Sequence, residues 1–215
     1  GNDVRQEWFG CACCPSNICR FIPSVPGYIY GKTGNRLYVN LYVDNSAVID
    51  MAGNAMEIDQ DTRYPWDGRV RITLRPETGR DFSVLLRIPG WARNEPIPGD
   101  LYHFAEESKL QPEVQVNGED VKWSIQEGYA VLQRKWMPGD VIDLVLPMPV
   151  RTVMAHENVG EDRDKIAIQR GPLVFCAEGI DKEDGHVMNL VLDPGGTMET
   201  SFEESLLNGV QVIRT

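Results

Sequence analysis

From residue 30 onward, apolar and polar residues alternate with a period of two. Over residues 36–43, Leu37, Val39, Leu41 and Val43 fall on one face, and Arg36, Tyr38, Asn40 and Tyr42 on the other. Residues 69–75 alternate in the same way, with Val70, Ile72 and Leu74 between polar neighbours. Phe82, Val84, Leu86 and Ile88 continue the pattern. This period predicts strands with one apolar face, and such a face requires a second layer to cover it. Asn117-Gly118, between residues 114–116 and 121–123, predicts a tight hairpin. Pro138-Gly139-Asp140 separates a strand over 129–136 from one over 141–146. The expected fold class is mainly β, an antiparallel β-sandwich of jelly-roll-like form covering residues 30–149.

Two other stretches flank that core. Near the start, Ile18, Phe21 and Ile22 fall at helical spacing, with Pro15 suited to the first helical position and Pro23 and Pro26 as stops. A short helix is therefore expected from Pro15 to just before Pro23. After Pro147-Met148-Pro149 comes a charged loop at 157–165, then strands expected over 166–168 and 173–176, an acidic loop at 181–185 and a strand over 187–192. Residues 150–215 either complete the first sandwich or begin a second one.

Composition narrows the partners. The 215 residues carry 21 Lys+Arg against 32 Asp+Glu, a net charge of −11. Such a surface disfavours nucleic acid and anionic membranes, both polyanions. No apolar run approaches the ~20 residues of a spanning helix. The first residues lack both a leader pattern and a Met, so the chain reads as a mature or truncated product.

Cysteine placement is the strongest chemical signal. Cys11, Cys13, Cys14 and Cys19 cluster within nine positions, and Cys176 stands apart. An odd, clustered count does not describe a disulfide framework. A bridge between adjacent Cys13 and Cys14 would be strained, because neighbouring Cα atoms lie ~3.8 Å apart and disulfides favour ~4.4–6.8 Å. A helix start would place both thiols where exposed N–H groups favour the thiolate, the form that attacks and ligates zinc. The chain shows one dense half-site, and His103, His156, His186 and Cys176 have no partner at ligand spacing. The alternative is a set of inert cysteines that pack as small hydrophobes. Trp66, Trp91, Trp123 and Trp136 could stack on sugar rings, although Trp in a sandwich usually belongs to the core. The acidic run Asp181-Lys182-Glu183-Asp184-Gly185 lacks calcium-loop spacing and reads as a solvated turn. No phosphate loop or Gly-x-Ser-x-Gly elbow occurs, and no carboxylate pair is marked by context.

The run Trp8-Phe9-Gly10-Cys11-Ala12-Cys13-Cys14-Pro15-Ser16-Asn17, followed by Arg20-Phe21-Ile22-Pro23, resembles glycoside hydrolase family 127, the β-L-arabinofuranosidases. The resemblance continues through Gly27-Tyr28-Ile29-Tyr30, Leu37 to Tyr42, Arg87-Ile88-Pro89-Gly90-Trp91, Val116-Asn117-Gly118, Trp136-x-Pro138-Gly139-Asp140 and Arg170-Gly171-Pro172-Leu173-Val174. It implies an (α/α)6 barrel carrying the active site, followed by β-sandwich domains. It also implies zinc held by one Glu and three Cys. One cysteine of the vicinal pair would be the nucleophile of a retaining reaction through a thioglycosyl intermediate, with a separate Glu as acid/base. By this resemblance Cys13 matches the nucleophile and a zinc ligand, and Cys14 matches the neighbouring ligand. Cys11 and Cys19 match no required position and are expected to pack.

The family's barrel precedes the Cys-Cys-Pro element, and only seven residues precede Trp8 here. Residues 1–29 are therefore expected to be the barrel's last strip, and the missing barrel to be a partner of this chain. The parent would be a glycosidase with a carbohydrate substrate, and the chain alone would lack turnover and bind zinc poorly. A non-catalytic carbohydrate-binding or structural sandwich is the alternative reading, and a structural zinc protein a third.

Overall fold

The structure is a computed structural model that describes residues 13–51, 53–181, 185–193 and 196–215. It opens with helix α1 (Cys13–Phe21), a 3-10 turn at Ile22–Ser24 and a single helical turn, α2 (Pro26–Ile29). Strands β1 (Tyr30–Thr33), β2 (Arg36–Val39), β3 (Asn45–Asp50), β4 (Ala55–Thr62), β5 (Arg69–Pro76) and β6 (Arg80–Arg87) follow. Next come β7 (Tyr102–Phe104), β8 (Glu113–Val116), β9 (Glu119–Asp120), β10 (Ser124–Gln126), β11 (Tyr129–Trp136) and β12 (Asp140–Val145). The chain ends with β13 (Val150–Ala155), β14 (Ile166–Arg170), β15 (Leu173–Phe175), β16 (Glu199–Glu203) and β17 (Val210–Arg214).

Two sheets make the sandwich, in the orders β1-β2-β6-β11-β10 and β3-β4-β5-β12-β8-β9. The alternating apolar positions of both meet in one core. Leu37, Val39, Phe82, Val84, Leu86 and Leu132 face Met56, Ile58, Val70, Ile72, Leu74 and Ile142, all buried. Trp136 is fully buried there, and its indole N–H donates to Phe82 O at 3.1 Å. A tryptophan ring fills a core without cost only when that polar atom finds a partner.

One pair departs from the antiparallel expectation. β2 and β6 run parallel. The chain leaves the first sheet after β2, builds β3 to β5 in the second, and returns at β6, so the two neighbours share a direction. A second departure lies at Asn40. The alternation expected through Val43 stops with β2 at Val39, where Asn40 N and Leu41 N both turn to Ile29 O. The face then flips. Tyr42 is buried, with its hydroxyl donating to Arg87 O at 2.6 Å, while Val43 is exposed.

The Asn117-Gly118 hairpin is present between β8 and β9, with both residues at positive φ (55° and 80°). That is the backbone a two-residue hairpin requires. Residues 121–123 continue as irregular chain rather than strand. The strand expected at 187–192 is replaced by a 3-10 turn at Val187–Asn189. A four-stranded sheet, β15-β14-β13-β7, follows the sandwich, and its β7 comes from the loop between β6 and β8. The ribbon β16–β17 returns to the sandwich through Phe202, whose ring meets Trp66 edge-on at 6.0 Å and lies under Arg63.

Candidate functional site

Cys13 and Cys14 are the first two residues of α1, and both are exposed. The described helix already includes Cys13 and Cys14, two residues ahead of Pro15. Proline remains harmless there, because the first turn has no intrahelical acceptor for its missing N–H. Ser16 Oγ donates back to Cys13 O at 3.0 Å. The Sγ atoms of Cys13 and Cys14 are 3.8 Å apart, a thiol hydrogen-bond contact and too far for a disulfide. Cys19 lies further along α1 and is exposed, so it does not pack within this chain as expected; Cys176 is exposed too. The Trp8–Ala12 part of the motif, including Cys11, lies outside the described residues, as do Lys182, Glu183 and Asp184 of the acidic run. Among the described residues no group of three or more His, Cys, Asp or Glu converges.

α1 buries none of its residues. Ile18 is 56% exposed, Phe21 62%, Ile22 62% and Tyr28 58%. A nine-residue helix is marginal on its own, so this apolar stripe asks for a covering surface. The strip is held from below. Ile29 is buried, its carbonyl accepts from Asn40 N at 2.8 Å, and Asn40 Nδ2 donates to Tyr28 O.

Tyr30 completes the anchor. Its hydroxyl donates to Asn45 Oδ1 at 3.0 Å and accepts from Gln60 Nε2 at 3.0 Å, and Gln60 also reaches Leu41 O. Burial pushes the Tyr30 phenol above its ordinary range, so it stays a neutral donor. This network joins the edges of both sheets directly below the helical strip. Gln60 carried a signal in the sequence: it occupies the core-facing position after Met56 and Ile58, where a polar residue needs a partner. Trp136 lies in the core, and Trp91 and Trp123 pack against it. The three histidines join no metal-ligand group among the described residues. No described helix is long and apolar enough to cross a membrane.

Comparison with known proteins decides the ancestry. Residues 36–148 match the family description "Beta-L-arabinofuranosidase, GH127 middle domain", and residues 150–211 match the "Glycoside hydrolase family 127 C-terminal domain". The chain belongs to glycoside hydrolase family 127. A non-reducing end β-L-arabinofuranosidase of Bifidobacterium longum is 34% identical over 97% of this chain, which covers 30% of that protein. A solved family 127 β-arabinofuranosidase superposes with a TM-score of 0.91 at 40% identity, over 97% of this chain and 33% of its own. The family 127 β-L-arabinofuranosidase of Geobacillus stearothermophilus T6 gives 0.85 at 40% identity, over 99% of this chain and 31% of its own. The chain thus spans about a third of the length of these relatives. Its mostly antiparallel sheets and short N-terminal helical strip are those of the C-terminal part of a family 127 protein.

Proposed function

We propose that this chain is the C-terminal part of a retaining β-L-arabinofuranosidase-like hydrolase. It would act on arabinose-containing glycans through a zinc-held cysteine nucleophile and be inactive alone. The observation that carries this reading is the vicinal thiol pair, two exposed Sγ atoms 3.8 Å apart at the start of α1. Cys13 and Cys14 would hold zinc as two thiolate donors, the ligand chemistry that ion favours. Structural zinc takes four ligands, so the pair would need further donors, and the reaction an acid/base group, from outside the described residues.

Bound zinc would keep the thiols ionised at neutral pH. Cys13 then attacks the anomeric carbon, and a C–S bond forms as the bond to the leaving oxygen breaks. That oxygen takes a proton from the acid/base carboxyl group. Water, giving a proton back to the same group, displaces the Cys13 sulfur, and two inversions leave the configuration retained. Cys14 would hold the metal together with Cys13. The strip carrying both is positioned by the Ile29, Tyr30 and Asn40 contacts to the sandwich.

The sandwich core closes without any residue of α1. The second reading gives residues 30–215 a role of their own, as a structural or carbohydrate-binding module. The test is an assay with an aryl β-L-arabinofuranoside, using this chain and a longer polypeptide that contains it. Only the longer form should turn over, Cys13→Ser should abolish the reaction, and an intermediate trapped on it should be found on Cys13 by mass spectrometry. Turnover by the 215-residue chain, or a full rate in Cys13→Ser, overturns the proposal.

A further inference from the structure

The sandwich has an open side where both sheets run out of strands. β10 covers β11 only over residues 129–131, and β9 covers β8 only at Gln115 and Val116. Between these edges lies a cleft of about 220 Å³, lined by Val116, Val121, Lys122, Leu132, Gln133 and Arg134. Its floor is aliphatic: half-buried Val121 supplies the accessible apolar face, over the almost wholly buried core residues Val116 and Leu132. Its rim is cationic and polar, with Lys122, Gln133 and Arg134 exposed.

Arg134 occupies an unusual place. Along β11 the core-facing positions are Ala130, Leu132, Arg134 and Trp136, and Arg134 alone of these is charged. Its guanidinium sits 5.3 Å from the centre of the buried Trp136 ring. That contact holds the head group at the cleft mouth. Neither Arg134 nor Lys122 has an ion-pair partner among the described residues, in a chain of net charge −11. Asp120 accepts from Gln115 Nε2 at 2.9 Å, and Glu119 does not line the cleft.

We propose that this cleft binds a hexuronate residue, a sugar ring bearing a carboxylate. Two unpaired cations at the rim ask for an anion, and the aliphatic floor asks for a ligand with a C–H face, which inorganic phosphate lacks. The volume lies below the ~300–1,000 Å³ of drug-sized pockets, which matches a single ring. The site is independent of the thiol chemistry and stands or falls without it.

The test is an amide NMR titration of the 15N-labelled 215-residue chain at low salt with methyl β-D-glucuronide, methyl β-D-glucoside and acetate. The glucuronide alone should give saturable shifts at Val116, Val121 and Leu132. Lys122→Gln and Arg134→Gln should each weaken binding about threefold to fivefold, the size of an exposed ion pair. Lys122→Gln leaves the Arg134–Trp136 contact in place, so its effect does not depend on refolding the edge. An equal response to the glucoside or to acetate overturns the proposal. So does the absence of saturable shifts, or tighter binding of an oligoglutamate peptide at the same residues.

Discussion

Asn117 and Asp140 lie 23 residues apart and lock two turns together. Asn117 Nδ2 donates to Asp140 Oδ1 at 2.8 Å, Asn117 Oδ1 accepts from Val141 N at 2.9 Å, and Asp140 Oδ2 accepts from Met137 N at 2.8 Å. The hairpin turn after β8 and the Pro138-Gly139 turn before β12 are thus one hydrogen-bonded unit. Asn117→Ala loses both side-chain bonds and places a Cβ-bearing residue with no local hydrogen bond at φ 55°. A loss of about 2–3 kcal/mol is expected in urea unfolding. Asn117→Gly relieves the backbone but not the bonds, so it should recover about 1 kcal/mol of that loss. Equal stability of the two variants would show that the turn geometry carries no strain.

The third sheet depends on a strand from elsewhere in the chain. β7 pairs with β13 through Phe104, His103 and Tyr102, and the Phe104 ring lies beneath the Arg151 guanidinium at 3.3 Å. Phe104→Ala should cost about 3 kcal/mol. The loss should be local: amides of β13 and β14 should exchange faster while those of β5 and β6 keep their protection. Uniform acceleration would show instead that the sandwich and this sheet unfold as one unit.

Asp59 gives a pH signature. A hydrogen bond from Arg75, with a second from Ser46, holds its carboxyl below the ordinary carboxylate range. A carboxyl depressed in the folded state adds stability above its unfolded value and loses it as pH falls through the folded one. The pair is exposed, so the effect on stability is small. NMR titration of the Asp59 carboxyl should show a midpoint below that of an unpaired aspartate. Arg75→Gln should raise it without fully restoring it, because Ser46 still donates. An unchanged midpoint in Arg75→Gln would assign the shift to Ser46.

The sandwich was legible because alternation reports burial directly. Val70, Ile72, Leu74, Phe82, Val84, Leu86 and Ile88 occupy the apolar side of that alternation, and all are buried. The pattern fails where tertiary contacts override the period. The Ile29 carbonyl ends β2 and turns Tyr42 inward, which no pattern within residues 36–43 encodes. The β7–β13 pairing was equally hidden, since β7 is three residues long and its partner begins 46 residues after its last one. The cleft at Lys122 and Arg134 is built from two segments whose meeting depends on where two sheets end. The thiol pair was visible because chemistry concentrated in adjacent residues needs no folding to bring it together.

The stripe on α1 separates the isolated chain from a longer one. Ile18, Phe21 and Ile22 touch nothing that buries them, so their side chains add little to the stability of this chain. Phe21→Asp should shift its unfolding by less than about 0.5 kcal/mol. In a polypeptide three times as long, like the relatives, a domain ahead of α1 would cover the same stripe. Removing a buried phenylalanine and leaving an unpaired charge should then cost about 3–5 kcal/mol. The measurement is chemical unfolding of both forms with and without the substitution. The same variant should lower sugar-cleaving activity in the long form, because α1 carries Cys13 and Cys14 at its first turn. If Phe21→Asp is tolerated equally in both forms, the stripe faces solvent in the whole protein. The thiols would then lie on an outer surface rather than against a barrel.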